Sequence, residues 1–66
     1  MYLFGQKLTV DVQFYDHIEH EIPIQIYHDH NHADIGYIVG YSDNFIMVNR
    51  ICYCRKQFTF VSRPGY

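Results

Sequence analysis

The chain has 66 residues, is 48% hydrophobic and 18% charged, and carries a formal net charge of -2. That length leaves room for a single domain, residues 1–66, and the composition excludes a disordered or low-complexity chain. A domain of this size buries only about 60% of the surface its unfolded form exposes, and such domains ordinarily lean on disulfides, a metal or a partner.

The start, M-Y-L-F-G-Q-K-L, has no basic stretch followed by an apolar core, so no signal peptide is expected. No apolar run approaches the roughly 18 residues that span a membrane. The expectation is a cytoplasmic protein with no membrane contact and with reduced thiols. Cys52 and Cys54 cannot bridge each other, because residues i and i+2 of a strand lie about 7 Å apart.

Leu8, Val10, Val12 and Phe14 alternate with Lys7, Thr9, Asp11 and Gln13. A period of two predicts a first strand with one wet face. After the polar stretch D-H-I-E-H-E, the alternation returns at Ile22, Ile24 and Ile26. Pro23 cannot donate to a ladder, which places this second strand at a sheet edge or puts its start at the proline. In H-D-H-N-H-A-D, residues 28–34, Asp, Asn and His tolerate turn conformations better than most residues, and a polar bend is predicted. The segment I-G-Y-I-V-G-Y, 35–41, reads as a strand with bends at Gly36 and Gly40. Ser42–Asn44 then forms a tight turn and 45–49 a returning strand. Asn49-Arg50 allows another turn, and I-C-Y-C and Q-F-T-F-V-S supply the last one or two strands.

No segment shows an apolar stripe at helical spacing, and the chain holds one alanine and two leucines. The expected fold is therefore all-β: a small, strongly bent antiparallel barrel of five or six strands, with bulges and glycines at its corners.

The stretch G-Y-I-V-G-Y-S-D-N-F-I-M-V-N, residues 36–49, resembles the central hairpin of Sm-like and SH3-like small β-barrels. The shared pattern is a glycine, an alternating strand, a second glycine, a polar turn with Asp or Asn, and an apolar returning strand. The resemblance implies a small-barrel fold and, through its Sm-like members, RNA binding. Two features depart from the Sm pattern. No helix signal precedes residue 6, and Cys52–Arg55 stands where a glycine-containing motif is usual.

Three functional readings follow from the residues. Seven tyrosines exceed what a core of this size can hold, since each buried hydroxyl needs a partner. Spare tyrosines suit contact with a protein partner or with copies of the same chain, and Tyr27, Tyr37, Tyr41 and Tyr53 are the candidates. The second reading starts from charge. All seven acids lie between Asp11 and Asp43, and the chain from Asn44 onward carries only basic groups. A basic, aromatic segment grips single-stranded RNA or DNA by stacking rings and neutralising phosphates, which singles out Tyr53, Arg55, Lys56 and Arg63. The same asymmetry also arises when a basic strand pairs with an acidic one.

The third reading is a zinc-stabilised module using His28, His30, Cys52 and Cys54. Zinc wants four ligands in a tetrahedron, so this set requires the two segments to be neighbours. The turn reading of the histidines needs no such coincidence, and no cofactor is expected. Catalysis has the least support: there is no phosphate loop, no G-x-S-x-G and no H-E-x-x-H. The leading expectation is a non-enzymatic contact module that forms a homo-oligomer.

Overall fold

The computed structural model describes all 66 residues. Its elements are β1 (Lys7–Leu8), α1 (Asp11–Glu19), β2 (Ile24–His28), β3 (Asn31–Gly36), β4 (Ile38–Tyr41), β5 (Phe45–Val48), β6 (Ile51–Cys54) and β7 (Thr59–Ser62). They form two antiparallel sheets, one ordered β1-β7-β2-β3 and the other β4-β5-β6. The domain is thus mostly β, with one short helix and no closed hydrogen-bonded barrel. No helix is long and apolar enough to cross a membrane.

The helix corrects the predicted first strand. Alternation from Leu8 to Phe14 would bury Val10 and Val12, yet both are more than half exposed. The winning pattern is Phe14, His17 and Ile18, spaced i, i+3, i+4, with Phe14 and His17 fully buried. Gln13 helps start the helix, its Oε1 accepting the backbone N–H groups of Thr9 (2.7 Å) and Val10 (3.2 Å). These donors precede the first turn and lack helical partners. At the other end the Ile22 N–H reaches the His17 carbonyl and the Glu21 N–H reaches Ile18, with Glu21 at φ 50°. That double bond pattern is a Schellman stop, with glutamate where glycine is usual.

The polar bend expected over 28–34 shrinks to a two-residue hairpin turn at Asp29-His30, and residues 31–34 instead belong to β3, paired with β2. Asp29 and His30 both have positive φ, and His28 pairs with Asn31 across the turn, as tight hairpins require. Asn49 and Arg50 repeat the arrangement between β5 and β6. Pro23 lies just before β2, and β2 itself runs inside its sheet between β7 and β3. The edge assignment for the second strand is therefore corrected, while its start at the proline stands.

Tyr37 alone separates β3 from β4, so one chain segment serves both sheets. Gly36 sits at this crossing. A Cβ there would meet Val48 and the Asn49 side chain at 3.0 Å. Register shifts fall between Ile38 and Gly40 in β4 and between Ile26 and Tyr27 in β2. Between the sheets lies one core of Leu8, Phe14, Ile24, Ile26, Ile38, Ile46, Val48, Tyr53 and Phe60. Polar ties reinforce it: Asp34 of β3 accepts hydrogen bonds from the Tyr53 hydroxyl (2.6 Å) and the Asn49 amide (3.0 Å).

Candidate functional site

In the three-stranded sheet, alternation turns Ile38, Ile46, Val48 and Tyr53 inward. The register sets Met47 opposite Gly40 on one side and Cys52 on the other, and Phe45 opposite Cys54. Phe45 and Met47 are 45% and 39% exposed, and Cys52 is also exposed. Nothing lies within 4 Å above Gly40, which leaves a shallow hollow of about 230 Å³ beside Tyr41, Phe45, Met47 and Cys52. None of β4, β5 and β6 carries a charged residue.

β6 is one of the two edges of this sheet; the other, β4, is broken by the register shift between Ile38 and Gly40. Val48 and Ile51 flank a two-residue turn and exchange hydrogen bonds with each other. Antiparallel alternation then aims the N–H and C=O of Cys52 away from β5, into the open. Edges are usually blunted by lysine, proline or a bulge. β6 has none of these, and Ile51 at its start is 51% exposed. The other flanks are covered better. β1 is two residues long and bears Lys7, and the Asn49 amide donates to the Ile35 carbonyl of β3 at 2.9 Å.

The tyrosines separate into distinct environments. Tyr37, at the β3–β4 crossing, is 55% exposed, and Tyr41 is 37% exposed beside the outer face. Tyr27 is half-buried, its hydroxyl accepting from Arg63 Nη2 at 3.0 Å. Tyr53 is buried and offers no contact surface, which corrects its place among the exposed candidates. Burial, and then the hydrogen bond to the Asp34 carboxylate, pushes its hydroxyl up to about 12. Asp34 is held below the usual carboxylate range, first by the Tyr53 hydroxyl and also by the Ile35 N–H and the Asn49 amide.

The nucleic-acid set is not assembled as expected. Arg55 Nη1 donates to Asp11 Oδ1 and to the Ser42 carbonyl, both at 2.7 Å, and its guanidinium lies 4.8 Å from the Phe14 ring centre. It ties the helix start to the β4–β5 turn. Arg63 donates to Gln25 Oε1 at 2.7 Å as well as to Tyr27, and covers Phe4 at 4.6 Å. Of the four residues only Lys56 is exposed and unpaired. The zinc set is divided too. His28 and His30 flank and form the β2–β3 turn of one sheet, while Cys52 and Cys54 lie on β6 of the other. No three histidine, cysteine or acidic side chains converge on one point anywhere in the chain.

One pairing escaped the sequence reading. His17 Nε2 lies 2.7 Å from Ser62 Oγ, and Nδ1 lies 2.6 Å from the Gln13 carbonyl. A carbonyl only accepts, so Nδ1 carries the proton and Nε2 accepts from the serine hydroxyl. A nucleophilic serine needs this geometry, but the two residues are 0% and 1% exposed. No substrate reaches them, and the pair is a core tie between α1 and β7. Positions 17 and 62 fall in segments with no shared motif, so nothing local in the sequence signals it.

No family model, curated protein or solved structure matches this chain.

Proposed function

We propose that this protein is a non-enzymatic contact module of the cytoplasm that associates with copies of itself through β6. One observation carries the reading: an unblunted, uncharged edge strand continuous with an uncharged, apolar outer face. Strand addition uses the free N–H and C=O groups of such an edge for affinity and the flanking side chains for specificity. Phe45, Met47 and Cys52 are those side chains, with Tyr41 at the rim. The four-residue edge alone offers few hydrogen bonds, so the apolar face must supply much of the contact.

We also propose that the fold is an open relative of the SH3-like and Sm-like small barrels. In support, β2 pairs with β7, and the bent β3–β4 segment crosses from one sheet to the other. In this chain β1 occupies the outer flank of β7, Asn49 covers part of β3 and a bulge interrupts β4, which makes β6 the edge proposed for assembly.

Native cysteines report on the proposed interface. Antiparallel pairing of two β6 edges sets facing residues at Cα separations of about 4.5–5.5 Å, inside the range a disulfide spans. Copper–phenanthroline oxidation should give a covalent dimer that Cys52→Ser and Cys54→Ser together abolish. A chain that stays monomeric under oxidation, at concentrations where it self-associates, would place the contact elsewhere.

A further inference from the structure

The two lysines of the chain, far apart in sequence, line one groove. It has a volume of about 510 Å³ and runs between the β2–β3 turn and the Lys56–Thr59 segment. Tyr27, His30 and Phe58 line it together with Lys7 and Lys56. Neither ammonium takes part in an ion pair, since the only pairs are Arg55 with Asp11 and His28 with Asp29. Two of the three arginines are spent on internal hydrogen bonds, and Arg50 occupies the β5–β6 turn. The free positive charge on this side of the molecule is therefore gathered in the groove. The one carboxylate on its wall, Asp29, stands 3.8 Å from the His28 ring.

Phe58 supplies a flat apolar wall in the groove that the two lysines line. Its ring is only partly buried and is held edge-on by Tyr53 (centres 5.1 Å apart), with His28 at 5.2 Å. Gln57 and Thr59 add polar groups on either side of it in the chain. Paired cations around a fixed aromatic surface match a ligand with both anionic and planar parts. Inorganic phosphate uses only the cations, and an acidic peptide leaves the ring without a partner.

We propose that this groove binds a nucleoside phosphate, with Lys7 and Lys56 on the phosphate and Phe58 against the base. The ligand unit is the same whether it is a free nucleotide or part of a single-stranded nucleic acid. The site is separate from the β6 edge, so its failure leaves the oligomerisation reading intact.

The test titrates a labelled oligouridylate and UMP against the full chain at roughly 50 and 200 mM salt. Single-strand phosphate contacts each contribute about 0.7 to the slope of log affinity against log salt. Lys7→Gln with Lys56→Gln should therefore lower the oligonucleotide slope by about 1.4 and weaken binding about tenfold or more. Both lysines are exposed, so the fold should survive, and circular dichroism checks it. Phe58→Leu keeps an apolar side chain against Tyr53 and should weaken both probes about tenfold. Binding of the oligonucleotide alone or of both probes supports the proposal, the first pointing to a strand and the second to a nucleotide. Failure of the wild-type chain to bind either probe overturns it. So does affinity unchanged in the double lysine variant, or equal binding of polyglutamate.

Discussion

His17 is a histidine that the core keeps neutral. Both ring nitrogens are committed, one donating to Gln13 and one accepting from Ser62, with the Tyr2 ring edge-on at 4.4 Å. Burial lowers its pKa, outweighing the Gln13 carbonyl and the Asp16 carboxylate that favour the charged form. The unfolded chain then binds a proton more readily than the folded one as pH falls below about 6.5. Stability should be full above that value and decline as pH drops through the folded pKa. Asp34, also depressed, adds a second loss at lower pH, below the ordinary carboxylate range. Tyr53, raised to about 12, acts in the opposite direction. Its contribution is present below about 10 and is lost as pH rises toward its folded value. Melting curves from pH 7.5 to 5 check the first step. His17→Gln should lower stability by about 1–3 kcal/mol, the cost of disturbing a buried hydrogen-bonded pair, and should flatten the acid dependence over that interval. An unchanged pH profile in the variant would move the titration to another group.

At the scale of elements, the helix end invites a direct substitution. Glu21 holds a left-handed conformation that costs an ordinary residue about 1 kcal/mol more than glycine. Glu21→Gly should raise stability by about that amount in thermal or urea melts, leaving oligomeric state unchanged. The sequence was a good guide to β2 and to β4 through β7, because Ile24 and Ile26, Ile46 and Val48, and the turn residues Asp29-His30 and Asn49-Arg50 each carry a local signal. It hid β3, whose polar stretch over 31–34 reads as a bend. It misled over residues 8–14, where four apolar residues at a spacing of two concealed Phe14, His17 and Ile18 at helical spacing. A buried histidine does not look like part of an apolar stripe, so the helical pattern is masked by the alternation. The site was less legible than the fold. Tyr53 and Tyr37 are the same residue type in segments that both read as strands, and only tertiary packing decides that one is sealed under Asp34 and the other exposed at the β3–β4 crossing. Arg55 and Arg63 looked like free cations for the same reason, since their partners Asp11 and Gln25 are distant in sequence. Lys7 and Lys56 line one groove because β1 pairs with β7.

The two proposed surfaces share no residue, although the groove wall at residues 56–59 follows closely after β6 in the chain. One sheet end presents the lysine-lined groove, and the other sheet presents the uncharged face and β6 edge. Between them the core is tied by polar bonds from Asp34, Arg55 and His17 that leave no buried side-chain polar atom without a partner. Phe45, Met47 and Ile51, exposed on the three-stranded sheet, are the apolar side chains that the proposed second copy would cover. Sedimentation velocity over a concentration series, on the wild-type chain and on Cys52→Lys, tests this most directly. Lysine is a side chain that edge strands use against pairing. The account predicts a wild-type dimer or larger assembly at micromolar concentration and a folded monomer for Cys52→Lys. A wild-type chain that remains monomeric throughout, or a variant that assembles as well as the wild type, would contradict it.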